Sequence, residues 1–372
     1  MKFEIINFTS LNRKNWDNKV NEFEDATYWH SWSWLKYVSL MKDTKNISFL
    51  CYNKEFGFMG VVPLGIYNLG FKSEFSFHGV PCGSPIISKN LSIQIRKKFI
   101  NSLFEKIYDL AKNNNIYRYL SINSPINIGR QKRLDNHNST SFELLRYNSL
   151  YWVQNTSVID LEVNEELLMK NMSKFQRKNI KKALKKNIKI EIINDKSSNN
   201  EVIKNWELFR NAHINEAGKE TRPRETWDQM LENLKNGNAV LFIAKVQNKY
   251  LAYLFCGEFN KMAFGWSQVN ISFFEKEFSP RHLLEWSAIQ YFKKENFIYY
   301  DVGLRYYGDQ IFYFPSDKEL SISQFKERYG GSMMPQVFWL TYFDLDLMKS
   351  ELKDNFDKFL KNYKGFLFPR IF

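Results

Sequence analysis

The same order of hydrophobic patterns runs twice along this chain, and that repetition restricts the fold more than any single motif. In the first half, an apolar opening strand precedes an aromatic amphipathic helix over residues 31–41 and strands over 47–52 and 58–67. A helix over 91–113 and a strand over 117–122 follow. The second half starts with a helix over 165–186, a strand over 188–193 and helices over 201–217 and 225–236. Three strands (239–246, 250–259 and 261–268), a helix over 280–294 and a strand over 297–302 complete it. Strands and helices alternating in this way form mixed α/β layers. A chain of 372 residues is also long for one hydrophobic core. The reading is therefore two α/β domains, 1–155 and 156–372, each with its own sheet. They join near a strand at 153–163, with a cleft at or near the junction. The polar stretch 127–140 is expected to be a loop.

Charge narrows the partners. Lys and Arg number 53 against 40 Asp and Glu, a balance of +13 that favours an anionic partner such as RNA, a nucleotide-linked substrate or a membrane surface. Residues 170–189 hold nine of these cations and no acid. On a helix, Phe175, Ile180, Ala183 and Leu184 can seat against the protein while Lys174, Arg177, Lys178, Lys181 and Lys185 face outward. A phosphate-rich ligand and a merely solvated basic face both fit. Arg177 is the best phosphate ligand in the helix because a guanidinium grips two oxygens at once, with Lys178 beside it.

Other classes lack support in the residues. Cys51, Cys82 and Cys256 show neither disulfide nor zinc spacing, the five histidines are scattered, and no metal is expected. Cys82 lies in the connector 78–85, which suits substrate lining, but it has no evident histidine partner and reads as structural. There is no phosphate-binding P-loop or nucleophile elbow. No stretch reaches about 18 uninterrupted apolar residues, and the opening segment reads as a strand rather than a signal peptide. The expected location is the cytoplasm, with contact at the inner membrane face left open.

Three segments in order, Arg177-Lys178-x-Ile180-x-Lys182-Ala183, Leu283-Leu284-x-Trp286-x-Ala288 through Asp301-Val302-Gly303, and Phe325-Lys326-x-x-Tyr329-Gly330, give the chain a family likeness. It resembles the Fem-type (FemAB-like) branch of the GNAT acyltransferase superfamily. The resemblance covers most of the chain and is strongest over 171–331. It implies tandem GNAT-like (acyl-CoA N-acyltransferase) domains with mixed sheets. It also implies a donor, acyl-CoA or aminoacyl-tRNA, and an acceptor amine on a nucleotide-linked or lipid-linked sugar or peptide precursor of the cell envelope. Two departures stand out: there is no inserted coiled-coil arm, because Gly218 and Pro223 interrupt the helices there, and the segment 268–281 has no glycine where an ordinary GNAT has a glycine-rich pyrophosphate loop. A non-catalytic GNAT-fold protein that holds RNA or an anionic membrane is the competing reading.

Within the resemblance, Lys326 falls at the reacting centre, where a cation stabilises charge developing on the acyl carbonyl. Lys36, in the aromatic helix, matches a lysine that contacts nucleotide phosphates, although the residues alone describe a core helix. Asp301 ends an apolar strand where ligand-facing residues emerge. It suits orientation of the acceptor amine and equally the capping of a loop through Gly303. Tyr306 and Tyr307 offer hydroxyls for proton transfer or rings that pack beneath a loop. Arg328 either assists at the site or pairs with Glu327 or Asp301.

Overall fold

A computed structural model describes residues 1–123 and 140–363, so most of the expected loop at 127–140 lies outside the described residues. In chain order the first half supplies β1 (Glu4–Asn7), β2 (Thr44–Asn46), β3 (Phe49–Asn53), β4 (Gly57–Val62) and β5 (Gly65–Asn68). It continues with β6 (Ser73–Phe75), β7 (Cys82–Gly83), β8 (Ile86–Ile87) and β9 (Ile116–Ile122). Then come β10 (Leu150–Asp160), β11 (Lys189–Ile193), β12 (Ala239–Val246), β13 (Lys249–Phe259), β14 (Met262–Asn270), β15 (Tyr299–Arg305) and β16 (Ser332–Tyr342).

Helices α1 (Arg13–Val20), α2 (Trp32–Val38) and α3 (Ile93–Asn113) belong to the first half. The second holds α4 (Glu165–Asn171), α5 (Lys174–Lys185), α6 (Asn199–Ala217), α7 (Arg224–Lys235) and α8 (Ser272–Phe278), followed by α9 (Pro280–Lys294), α10 (Asp317–Glu327) and α11 (Leu345–Asn362).

The helix expected over 165–186 is two helices. Ser173 breaks it, its side chain accepting from the Gln176 amide as the N-cap of α5. The aromatic α2 is a core element: Trp34, Leu35, Tyr37 and Val38 are buried, and the Tyr37 ring meets Trp266 edge-on at 4.6 Å.

β1, β3, β4 and β8 form a small antiparallel sheet, and the remaining strands form one 12-stranded sheet. The expectation of a separate sheet in each half is corrected here. The large sheet runs β11-β12-β13-β14-β15-β10-β16-β9-β6-β5-β2, with β7 also on β9. β10 and β16 pair from Leu150↔Leu340 to Val158↔Ser332, and β16 then pairs with β9 from Phe338↔Ile122 to Tyr342↔Arg118. A late segment of the chain thus stitches the halves together, and the division at 155/156 falls inside β10 rather than in a linker. The largest apolar core likewise takes side chains from both halves, among them Trp16, Phe99, Trp206 and Phe255.

One local irregularity opens the sheet. β13 and β14 slip register between Phe255 and Cys256, inserting Trp266 as an extra residue, and a bulged strand bends. β14 and β15 run parallel and pair over Met262–Phe264 and Tyr299–Asp301, then part. The first half repeats the parallel pair with β6 and β9, but there β7 bonds Cys82 and Gly83 to Ser121 and Ile122 and occupies the continuation.

Candidate active site

The fork between β14 and β15 opens into a cavity of about 600 Å³. Gly265 to Gln268 and Asn270 line one wall, Val302 the other, α9 contributes Arg281 and Glu285, and α10 covers it with Lys318, Phe325 and Lys326. Arg328, at the end of α10, completes a lining of four cationic side chains around one carboxylate.

That carboxylate, Glu285, was missed by reading the sequence. It lies on α9 among Leu283, Leu284, Trp286, Ala288 and Ile289, all buried, and is itself only 5% exposed. Burial pushes its pKa from 4.5 to about 7, against the opposing effects of the Tyr300 hydroxyl, which donates to it at 2.7 Å, and of Lys326. A carboxyl that changes charge near neutrality is suited to take a proton from an amine. The available signal was one acid set directly between Leu283, Leu284 and Trp286.

Lys326 does reach the cavity. Its ammonium donates to the Leu304 carbonyl at 3.1 Å. Burial lowers its pKa, while Asp301 and Glu285 draw it back up. Gly303 makes this approach feasible: it has a φ of +107°, and a Cβ there would fall 2.6 Å from the Lys326 nitrogen. Asp301 holds a bulge within β15, its carboxylate accepting from the Gly303 amide at 2.8 Å and from the Thr156 hydroxyl at 2.5 Å. Asp301 is absent from the cavity lining, and its bonds brace this bulge rather than cap a loop or orient an amine.

The other expected residues are dispersed. Arg177 donates to the carbonyls of Lys170 at 2.8 Å and Met172 at 2.5 Å, closing the last turn of α4 instead of facing the cavity. Lys178 and Lys36 are exposed and away from the lining. Tyr306 stacks on Tyr313 at 4.9 Å and follows the packing alternative, whereas Tyr307 is 57% exposed, its hydroxyl donating to the Met333 sulfur away from the cavity lining. Arg328 lines the cavity and lies 4.5 Å from the centre of the Phe175 ring, a cation–π contact rather than an ion pair with Glu327 or Asp301. His282 is buried, its Nδ1–H donating to the Gln176 amide oxygen at 2.8 Å, and burial lowers its pKa to about 4. Among the described residues no group of His, Cys, Asp and Glu is arranged to hold a metal ion.

Comparison places this geometry among known folds. Residues 174–312 match the family described as acetyltransferase (GNAT) domain, a span that contains the fork and Glu285 but stops short of Lys326. A crystal structure of FemX superposes with a TM-score of 0.67 at 12% identity, covering 93% of this chain and 99% of that one. The C-terminal domain of an Agrobacterium fabrum protein that carries the name lysylphosphatidylglycerol synthetase gives 0.56 at 10% identity, covering 94% and 99%. L-PGS from Bacillus licheniformis gives 0.52 at 9% identity, covering 89% and 93%. No curated protein sequence matches. The chain therefore has a tandem GNAT-like fold, that of FemX over its length, and its second half contains the stretch that resembles a GNAT domain.

Proposed function

We propose that the protein transfers an acyl or aminoacyl group to an amine in the β14–β15 fork. The observation that carries this reading is the convergence of a buried carboxylate and a lysine on an open fork: Glu285 and Lys326 share one cavity and influence each other's charge. The acceptor nitrogen attacks the carbonyl carbon of a thioester or ester, the new C–N bond forms, and the C–S or C–O bond breaks. Glu285 takes the proton lost by the amine and returns it to the departing sulfur or oxygen, so that a neutral thiol or hydroxyl leaves, while Lys326 stabilises the oxyanion. Asp301 is a positioning residue that fixes the β15 bulge at Gly303 under Lys326.

Arg281, Lys318 and Arg328 suit the phosphates of a donor. The short α8 stands where a glycine-rich loop would offer backbone amides, and Glu216 already accepts from the Ser272 amide at 3.2 Å. Side-chain cations are thus left to hold those phosphates, whether the donor is acyl-CoA or aminoacyl-tRNA. The resemblance to the Fem-type branch directs the acceptor toward an amine on a cell-envelope sugar or peptide precursor.

Thermal-shift titration with acyl-CoA, charged tRNA and nucleotide-linked sugars selects the ligands, and single-turnover transfer with the stabilising pair tests the step. Lys326→Met should slow transfer about 100-fold while donor binding persists. Near-normal transfer by the folded variant would reject the role of Lys326. Stabilisation by RNA alone, with no transfer, would favour the non-catalytic reading.

A further inference from the structure

The helix α11 leaves one edge of its apolar face uncovered. Leu345, Met348, Leu352, Phe356, Phe359 and Tyr363 recur at three- and four-residue spacing and form one apolar stripe, yet no residue of the helix is buried. Its hydrogen bonds and its cation–π contact to the body come from polar residues. Glu351 accepts from Arg118 and from the Tyr342 hydroxyl, each at 2.7 Å; Lys358 sits over the Phe314 ring at 4.1 Å; Asn362 donates to Asp309 at 2.7 Å. The stripe is divided: Met348, Leu352 and Phe359 are half-buried, while Leu345 at 68%, Phe356 at 50% and Tyr363 at 59%, with Leu360 beside them at 50%, face water. An amphipathic helix normally buries this face.

We infer that this stripe seats the protein on the surface of an anionic phospholipid bilayer. Three features favour lipid over a second protein chain. The stripe is rich in Phe and Tyr, and Lys349 and Lys353 flank it on an exposed edge, the arrangement of a helix that lies in the headgroup layer. The chain as a whole carries +13, which an anionic leaflet attracts. The start of the helix adjoins further exposed aromatics: Lys72 pairs with Asp344, which brings the turn of the exposed Phe71 beside it, and the exposed Tyr108 lies 6.1 Å from Phe343. This inference is independent of the chemistry assigned to the fork.

The test is flotation of the full chain with vesicles of phosphatidylcholine alone and with about 30% phosphatidylglycerol, at low and high salt. The wild type should float with the anionic vesicles, less at high salt, and at least about fivefold less with neutral ones. The double variant Phe356→Glu, Leu360→Glu should lose this binding about tenfold with an unchanged melting temperature, because both side chains are half exposed. Lys349→Gln with Lys353→Gln should weaken binding to anionic vesicles alone. Absence of wild-type flotation, or full flotation of the Phe356/Leu360 variant, overturns the inference. So does a dimer, seen by light scattering, that the same substitutions dissociate, since the stripe would then belong to a second copy.

Discussion

Glu285 and Arg177 show how residue identity and residue role part company. Arg177 stood out in the sequence as a charge, and the fold uses it to cap α4; Glu285 was hidden beside the apolar residues of α9, and the fold brings it to the cavity. Lys326 was legible because a family motif surrounds it, whereas the partners that tune it come from β15 and α9, far away in sequence. The buried carboxyl has a measurable thermodynamic signature. Its folded-state pKa is raised from 4.5 to about 7, so the stability it contributes is full below about 4.5 and is lost as pH rises through about 7. Glu285→Gln cannot ionise. Urea denaturation should therefore show the variant gaining on the wild type by on the order of 2 kcal/mol between about pH 5 and about pH 8. Transfer should move the opposite way, since the same substitution removes the proposed proton acceptor; wild-type rates should rise toward a plateau above about pH 7 and the variant should lack that rise. A variant with the wild-type rate profile would remove Glu285 from the chemistry.

Elements were easier to foresee than their breaks. Strong patterns such as β12 and α9 are where the sequence placed them, but the split between α4 and α5 depends on a single capping serine. β16 escaped notice because Pro335 interrupts it, and a proline removes a ladder donor. The strand tolerates it because Pro335 pairs with Asn155 on β10, whereas pairing with β9 on the other edge begins only at Phe338. The turn after α10 has a stricter requirement. Gly330 has a φ of +76°, and a Cβ there would overlap the backbone carbonyl of Asn171 at the end of α4. Gly330→Ala should cost on the order of 2 kcal/mol. Chemical denaturation measures the loss, and a cost below about 0.5 kcal/mol would mean that the turn relaxes freely.

The whole molecule is a duplicated pattern fused by hydrogen bonds, and the duplication was readable where the fusion was not. Periodicity reports which segments are strands, while pairing across the halves depends on contacts between residues more than a hundred positions apart, such as Trp339 with Ser121. Residues 1–155 alone would carry a truncated β10 and lose β16 from the edge of β9, exposing unpaired backbone and apolar core. Expressed separately, this piece should aggregate, and the intact chain should unfold in one calorimetric transition. A soluble, cooperatively folded 1–155 fragment would show that the halves are autonomous. The filled position beside β9 also bears on stoichiometry. With Cys82 and Gly83 hydrogen-bonded where the other half is open, a molecule built from two similar halves should titrate with one equivalent of donor per chain in isothermal calorimetry. A second equivalent would require β7 to peel away from β9, so its appearance would report a hidden opening of the half that looks closed.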